Sequence, residues 1–199
     1  RVVGVSPTGI RGTPSAAVTV VVDTTPPPAV PAASLTGGSP TPTNAASVTV
    51  ATSAAAPSGG GMMQHRSSSD GGATWTAAAP GTSASVTAEG TTSVQFRAVD
   101  AAGNASAWGP EPGTDAATVV IDRTAPAAPT GVASSHPVTD APHVRWDPVA
   151  DAASYRLTRD GVQIASGTAA AYTDAALPGG GDYVYRVAAV DAAGNVSPW

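Results

Sequence analysis

Neither cysteine nor lysine occurs among the 199 residues. Without cysteine there is no disulfide framework and no thiolate metal site, and sulfur pairing gives no reading of redox compartment. Without lysine a P-loop lacks its cation, Schiff-base catalysis lacks its amine, and an internal Lys-to-Asn isopeptide cross-link is excluded. All nine basic residues are therefore arginine, set against fourteen acids for a net charge of −5. They are scattered, so no basic patch for nucleic acid forms. Aromatic residues make up only 5%, with a single phenylalanine, and any core must be filled by Val, Ala, Leu and Ile. No apolar run approaches the roughly 20 residues of a membrane helix, so membrane insertion is not expected in this segment. No signal-peptide pattern stands at Arg1, and an export signal or anchor is expected outside the segment.

A repeat is present instead. Val99-Asp100-Ala101-Ala102-Gly103-Asn104 returns as Val190-Asp191-Ala192-Ala193-Gly194-Asn195, with Ser106 and Trp108 answered by Ser197 and Trp199, a shift of 91 residues. That period is the size of one small β-sandwich. Two linkers share a second pattern: Asp23-Thr24-Thr25-Pro26-Pro27 and Asp122-Arg123-Thr124-Ala125-Pro126, with Asp, Thr two on and Pro four on. Closely spaced prolines bias such segments toward extended, stiff geometry. The boundaries expected from these marks are a C-terminal remnant of a preceding sandwich at 1–24, one module at 25–122 and a second at 123–199, whose last strand is missing. The chain is thus expected to be part of a longer multi-module protein.

Helical periodicity is missing, because Pro or Gly interrupts nearly every stretch. Strand patterns are frequent: Ala16–Val22, Ser47–Val50, Ser85–Thr87, Ser93–Val99 and Ala117–Ile121, then His143–Trp146, Tyr155–Thr158, Val162–Ile164 and Tyr183–Val190. Asp160-Gly161 is a two-residue hairpin signal, and Asp70-Gly71 stands 90 residues earlier. The expected fold class is all-β: tandem antiparallel sandwiches arranged as beads on a string.

The residues Trp146, Tyr155, Tyr172, Leu177 and Tyr183, with Pro126 to Pro129 and Val132 before them, give the stretch 123–199 a pattern that resembles a fibronectin type III domain. The resemblance implies that Leu177-Pro178-Gly179 leads into a tyrosine corner, in which the Tyr183 hydroxyl bonds back to upstream backbone. The stretch 25–122 resembles bacterial Ig-like repeats of surface and secreted proteins, through Ser69–Trp75 and Val94–Asp100. There Thr92 holds the corner position, and His65 is expected in the aromatic slot of Tyr155.

Candidate sites read mainly as structure. Ser68-Ser69-Asp70-Gly71-Gly72-Ala73-Thr74-Trp75 fits the Asp-box of sialidases, but a propeller needs several boxes, so Asp70 and Trp75 are expected to build a turn. His65, His136 and His143 lack the further ligands that zinc needs. The pairs Asp147 with Asp151, and Asp182 with Asp191, sit in turn contexts that explain them better than acid–base catalysis. No catalytic residue and no cofactor is assigned. Calcium beside Asp23, Asp122, Asp100 or Glu89 is the metal alternative, short of the six to eight oxygens it takes. Trp108 is the candidate contact for a glycan or surface protein, its recurrence as Trp199 favouring a packing role. Asp100, Gly103, Asp191 and Gly194 are read as a type I turn closed by a left-handed glycine, fastening the last two strands of each sandwich.

The function expected is that of a non-enzymatic extracellular or cell-surface spacer, contacting mainly neighbouring modules of its own chain. The alternatives are an adhesion or carbohydrate-binding module, or an accessory module of a secreted polysaccharide-degrading enzyme or of a virion surface.

Overall fold

A computed structural model describes residues 2–134 and 141–199. Fourteen strands are found among these residues, with two short 3-10 segments and no α-helix. Eight strands lie in the first half: β1 Leu35–Thr36, β2 Ser39–Thr43, β3 Val48–Thr52, β4 Met62–Ser68, β5 Ala79–Pro80, β6 Ser83–Val86, β7 Gly90–Val99 and β8 Thr118–Ile121. They form a three-stranded sheet β1-β3-β6 and a five-stranded sheet β2-β8-β7-β4-β5. Six follow: β9 Ala133–Ser134, β10 His143–Arg145, β11 Ser154–Arg159, β12 Val162–Gly167, β13 Ala171–Thr173 and β14 Tyr185–Val190, in sheets β13-β10-β9 and β12-β11-β14. Pairing is antiparallel except between β2 and β8.

Each half has its own core, as the period-two alternation of its strands dictates. In β7, Val94, Phe96 and Ala98 point inward and join Val50, Met63, Val119 and Ile121. The second core gathers Val144, Trp146, Tyr155, Leu157, Val187 and Ala189, with the Trp146 and Tyr155 rings edge-on at 5.4 Å. The Tyr155 hydroxyl accepts from the Val149 N–H at 2.8 Å, which satisfies the polar end of a buried ring.

Several expectations shift by a few residues, for local reasons. Asp160 and Gly161 both take positive φ, 51° and 83°, which makes a two-residue type I′ turn between Arg159 and Val162. Asp70-Gly71 does not: β4 ends at Ser68 and β5 starts only at Ala79, so these residues begin a longer connection. Ser68 pairs with Ser93, and Asp160 meets the equivalent Val184, so Ser68 rather than Asp70 is the counterpart of Asp160. The same register moves the aromatic slot. Met63 lies opposite Ala98 as Tyr155 lies opposite Ala189, so the buried Met63 answers Tyr155, while His65, two residues on and on the same strand face, tilts against Phe96 at 6.1 Å.

The repeated turn leads from β7 not into β8 but into a bridging stretch, in which Ala105 pairs with Val99 and Gly109 with Phe96. β8 follows later and covers the other half of β7, Gly90–Ser93. Ala16–Val22 forms no strand, and its Val18, Val20, Val21 and Val22 are exposed. The strand expected from Tyr183 begins at Tyr185.

Candidate functional site

The two copies of the repeated block fold alike. The Asp100 carboxylate accepts the Asn104 N–H at 2.8 Å and the Ala102 N–H at 2.9 Å, and Asp191 accepts the Asn195 N–H at 2.8 Å. Gly103 and Gly194 close the turns at φ +90° and +92°, a region L side chains rarely enter. The Ser106 hydroxyl accepts from the Ala98 N–H at 3.0 Å, and the Ser197 hydroxyl from Ala189 at 2.9 Å. Each serine is buried and ties the returning chain to its strand.

Asparagine carries the block beyond its own turn. The Asn104 amide donates one hydrogen to the Asp100 carboxylate at 2.9 Å and the other to the Asp23 carbonyl at 3.1 Å. The Asn195 amide divides itself in the same way between Asp191 at 2.8 Å and the Asp122 carbonyl at 2.9 Å. Both linker residues thus become anchor points. Their carboxylates turn back on the linker itself, Asp23 accepting the Thr25 N–H at 2.9 Å and Asp122 the Thr124 N–H at 3.0 Å. Each linker is therefore shaped from within and pinned from the following sandwich.

The linker at Asp122 is also held from the preceding side. Glu89 accepts the Thr124 hydroxyl at 2.7 Å and the Arg123 N–H at 3.2 Å, while the Arg123 guanidinium donates to the carbonyls of Ala46 and Thr87 at 3.1 and 2.9 Å. The Thr124 and Arg123 hydrogen bonds hold the Glu89 carboxyl below its usual range. Among the described residues no group of three or more His, Asp or Glu side chains converges as a metal site would require. His136 lies outside the described residues, and the His143 ring meets the Thr173 hydroxyl at 3.0 Å.

Trp108 sits in a ladder of rings and cations on the outer face of the five-stranded sheet. The Arg66 guanidinium lies 4.3 Å from the Trp75 ring centroid and 4.4 Å from that of Trp108, and Arg97 lies 4.4 Å from Trp108. Gln95 accepts from Arg66 at 2.7 Å and Gln64 from Arg97 at 2.8 Å, fixing both cations. A half-buried ring engaged by two guanidiniums makes a poor platform for a sugar. Among the described residues no guanidinium stacks on Trp199, which is 55% exposed, and the register puts Thr158 and Ala188 where the first sandwich has Arg66 and Arg97. Replacing Trp108 by alanine is expected to destabilise the first sandwich by about 2 kcal/mol, from two cation–π contacts and the buried ring area. Thermal unfolding of the variant checks this.

Asp70 and Trp75 hold the loop after β4. The Asp70 carboxylate accepts the Thr74 hydroxyl and N–H and the Ser68 hydroxyl, and Thr74 above all pulls its pKa far below the ordinary aspartate range. A depressed folded-state pKa stabilises the loop above the unfolded value, and that contribution is lost as pH falls through the folded value. In a carboxyl titration followed by NMR, Asp70 is expected to protonate only well below the ordinary aspartate range, and to return toward that range in Thr74→Ala.

The second sandwich holds a buried cluster. Asp174 is 1% exposed and accepts Arg159 at 2.7 Å and the Tyr185 hydroxyl at 2.8 Å, while Ala176 donates its N–H at 3.2 Å. Burial alone pushes the Asp174 carboxyl up, but Tyr185, Arg159 and Ala176 together hold it below the usual range. Burial and this bond push Tyr185 up to about 12. The half-buried Tyr183 bonds through its hydroxyl to the Gly179 carbonyl at 2.7 Å, and Arg159 lies 5.6 Å from its ring. Leu177 is half-buried beside this turn. The equivalent Thr92 is buried with its hydroxyl unpartnered, as is the Trp146 indole N–H.

No known family model matches the sequence. Over 72 residues, 36% of the chain, it is 43% identical to a poly(3-hydroxybutyrate) depolymerase of Ralstonia pickettii, of whose length the chain spans only 15%. Fibronectin domains FN1–FN3 of chicken contactin superpose with a TM-score of 0.54 at 16% identity, covering 98% of this chain and 70% of that one. Fibronectin(III)-like modules of Clostridium thermocellum CbhA match with a TM-score of 0.45 at 17% identity, over 82% of this chain and 86% of that one. The fold is that of antiparallel β-sandwiches similar to fibronectin type III domains.

Proposed function

We propose that the chain is a non-enzymatic spacer segment of an extracellular protein, holding a functional head at a set distance from a surface. The observation that carries this reading is the joint: Asn104 on Asp23 and Asn195 on Asp122, one device used twice. A stiff proline-rich linker sets reach, and a hydrogen bond from the next sandwich limits its bending. Only neighbour contacts are needed for such an array to hold its line. Small-angle scattering tests the reading. An elongated particle with the two sandwiches end to end is expected, and sandwiches folded face to face would contradict it.

A second reading is favoured by the identity with the depolymerase: the spacer belongs to a secreted polymer-degrading enzyme. Poly(3-hydroxybutyrate) is a polyester, so this reading takes a polyester as the polymer in place of a polysaccharide. Sedimentation of the chain with polyester granules separates a mere spacer, which stays in solution, from a segment that grips the polymer.

A further inference from the structure

Arg159, Asp174 and Tyr183 of the second sandwich have small counterparts in the first. Ser67 pairs with Val94 as Arg159 pairs with Tyr185, so Ser67 answers Arg159. Val50 lies opposite Ala84 as the equally buried Val144 lies opposite Tyr172, which makes Val86, two residues on, the counterpart of Asp174. Thr92 answers Tyr183. Where the second sandwich has a tyrosine ring, a guanidinium 5.6 Å from it and a carboxylate 2.7 Å from that guanidinium, the first has a threonine, a serine and a valine. The smaller groups leave space.

That space is a cleft of about 410 Å³, and Ser67, Val86 and Thr92 all line it. It lies between β6, the edge strand of the three-stranded sheet, and the loop after β4, which contributes Trp75. Ser67 and Thr92 share their strand faces with the core residues Met63 and Val94, so both turn inward. Thr92 is 5% exposed, and its buried hydroxyl has no hydrogen-bond partner among the described residues. An unpaired buried hydroxyl costs stability, and this one borders an open cleft.

The lining decides the class of occupant. Eight of its eleven residues are serine or threonine, Ser85 and Thr87 among them, and none is charged. A charged ligand would lose water there without gaining a counter-charge, and an apolar one would leave hydroxyls unmatched. Hydroxyls donate and accept, so they pair well with other hydroxyls. The volume falls within the roughly 300–1,000 Å³ of small-molecule sites. We infer that this cleft binds a neutral pyranose sugar, free or at the end of a glycan, with one sugar hydroxyl bonded to Thr92. Trp108 is not in the lining. The inference goes beyond the spacer reading and stands apart from it, since it needs only the first sandwich.

Titration of the whole isotope-labelled chain with glucose, galactose, mannose and N-acetylglucosamine, followed by amide NMR shifts, tests it. At least one of these sugars is expected to shift the Ser67, Ser85, Thr87 and Thr92 amides saturably. An oligosaccharide ending in that sugar binds equally well if the cleft takes glycan ends, and more weakly if it takes the free sugar. No saturable shift with any of the four, or shifts confined to other residues, would overturn the inference. So would tighter binding of glucuronate or of a 3-hydroxybutyrate trimer than of any neutral sugar. Thr92→Val keeps the shape and removes the hydroxyl, and is expected to bind about tenfold more weakly, the loss of one hydrogen bond. Its melting temperature is expected to equal or exceed that of the wild type, because no buried hydroxyl is left unpaired. Unchanged affinity in this variant would contradict the inference. Thr92→Tyr puts back the ring of Tyr183 and is expected to abolish the shifts, with circular dichroism verifying the fold; a folded tyrosine variant that still binds would equally overturn it.

Discussion

Replacing Phe96 by alanine is expected to destabilise the first sandwich by about 3 to 5 kcal/mol and to leave the second at its wild-type melting temperature. The ring is completely buried in β7, and it is the only phenylalanine of the chain. Around it stand mainly valines, alanines and one methionine, too small to fill the cavity without moving the sheets. Its backbone exchanges two hydrogen bonds with Gly109, at 2.7 and 3.0 Å, so relaxation would also disturb the stretch that carries Trp108. A domain of this size loses about 4–8 °C per kcal/mol, so a drop of at least about 12 °C in one of two calorimetric transitions is predicted. A shift of both transitions together would show that the two cores unfold as one.

The complementary variant is Asp174→Ala, expected to cost the second sandwich about 3 kcal/mol or more. Asp174 is the buried member of the cluster, and without it the half-buried Arg159 loses its ion pair while the Tyr185 hydroxyl loses its acceptor. Asp174→Asn retains the size and one acceptor oxygen, so its loss is expected to be smaller. The pH dependence has a definite sign. Because the folded carboxyl titrates below its unfolded value, its contribution is complete above the unfolded pKa, near 4, and disappears as pH falls through the folded one. Equilibrium urea unfolding of the wild type and both variants, at neutral pH and at about pH 3, checks rank and sign. A wild-type second sandwich that gains stability on acidification relative to Asp174→Ala would contradict this account.

Much of the architecture was legible because it rests on local rules. The period of 91 residues, the alternation in Ser93–Val99 and the Asp160-Gly161 turn each write their structure into adjacent residues. Register was less legible. A spacing of 90 between Asp70 and Asp160 suggested that His65 matches Tyr155, but the loop after β4 is longer than the two-residue turn after β11, so the match moves to Met63. The reach of Asn104 and Asn195 left no partner to read, since each donates to a backbone carbonyl 81 or 73 residues upstream, where any residue type would serve. Only the recurrence of Asn at the same place in both blocks marked it. Asp174 looks like another turn carboxylate in Thr173-Asp174-Ala175, and only the pairing of β11 with β14 brings Arg159 and Tyr185 side by side. Equivalence in sequence also overstates likeness: Trp108 and Trp199 match in position, yet among the described residues only the first has two arginines beside it.

The absence of cysteine makes the joint directly measurable, because two introduced thiols are the only ones to label. With Ala77→Cys and Ser166→Cys, both at exposed positions of the two sandwiches, spin labels report the distance across the Asp122 linker. A pinned joint predicts a narrow distance distribution that broadens when Asn195→Ala removes the bond to the Asp122 carbonyl. A distribution equally broad with and without Asn195 would contradict the central claim that this asparagine sets the angle between the two sandwiches.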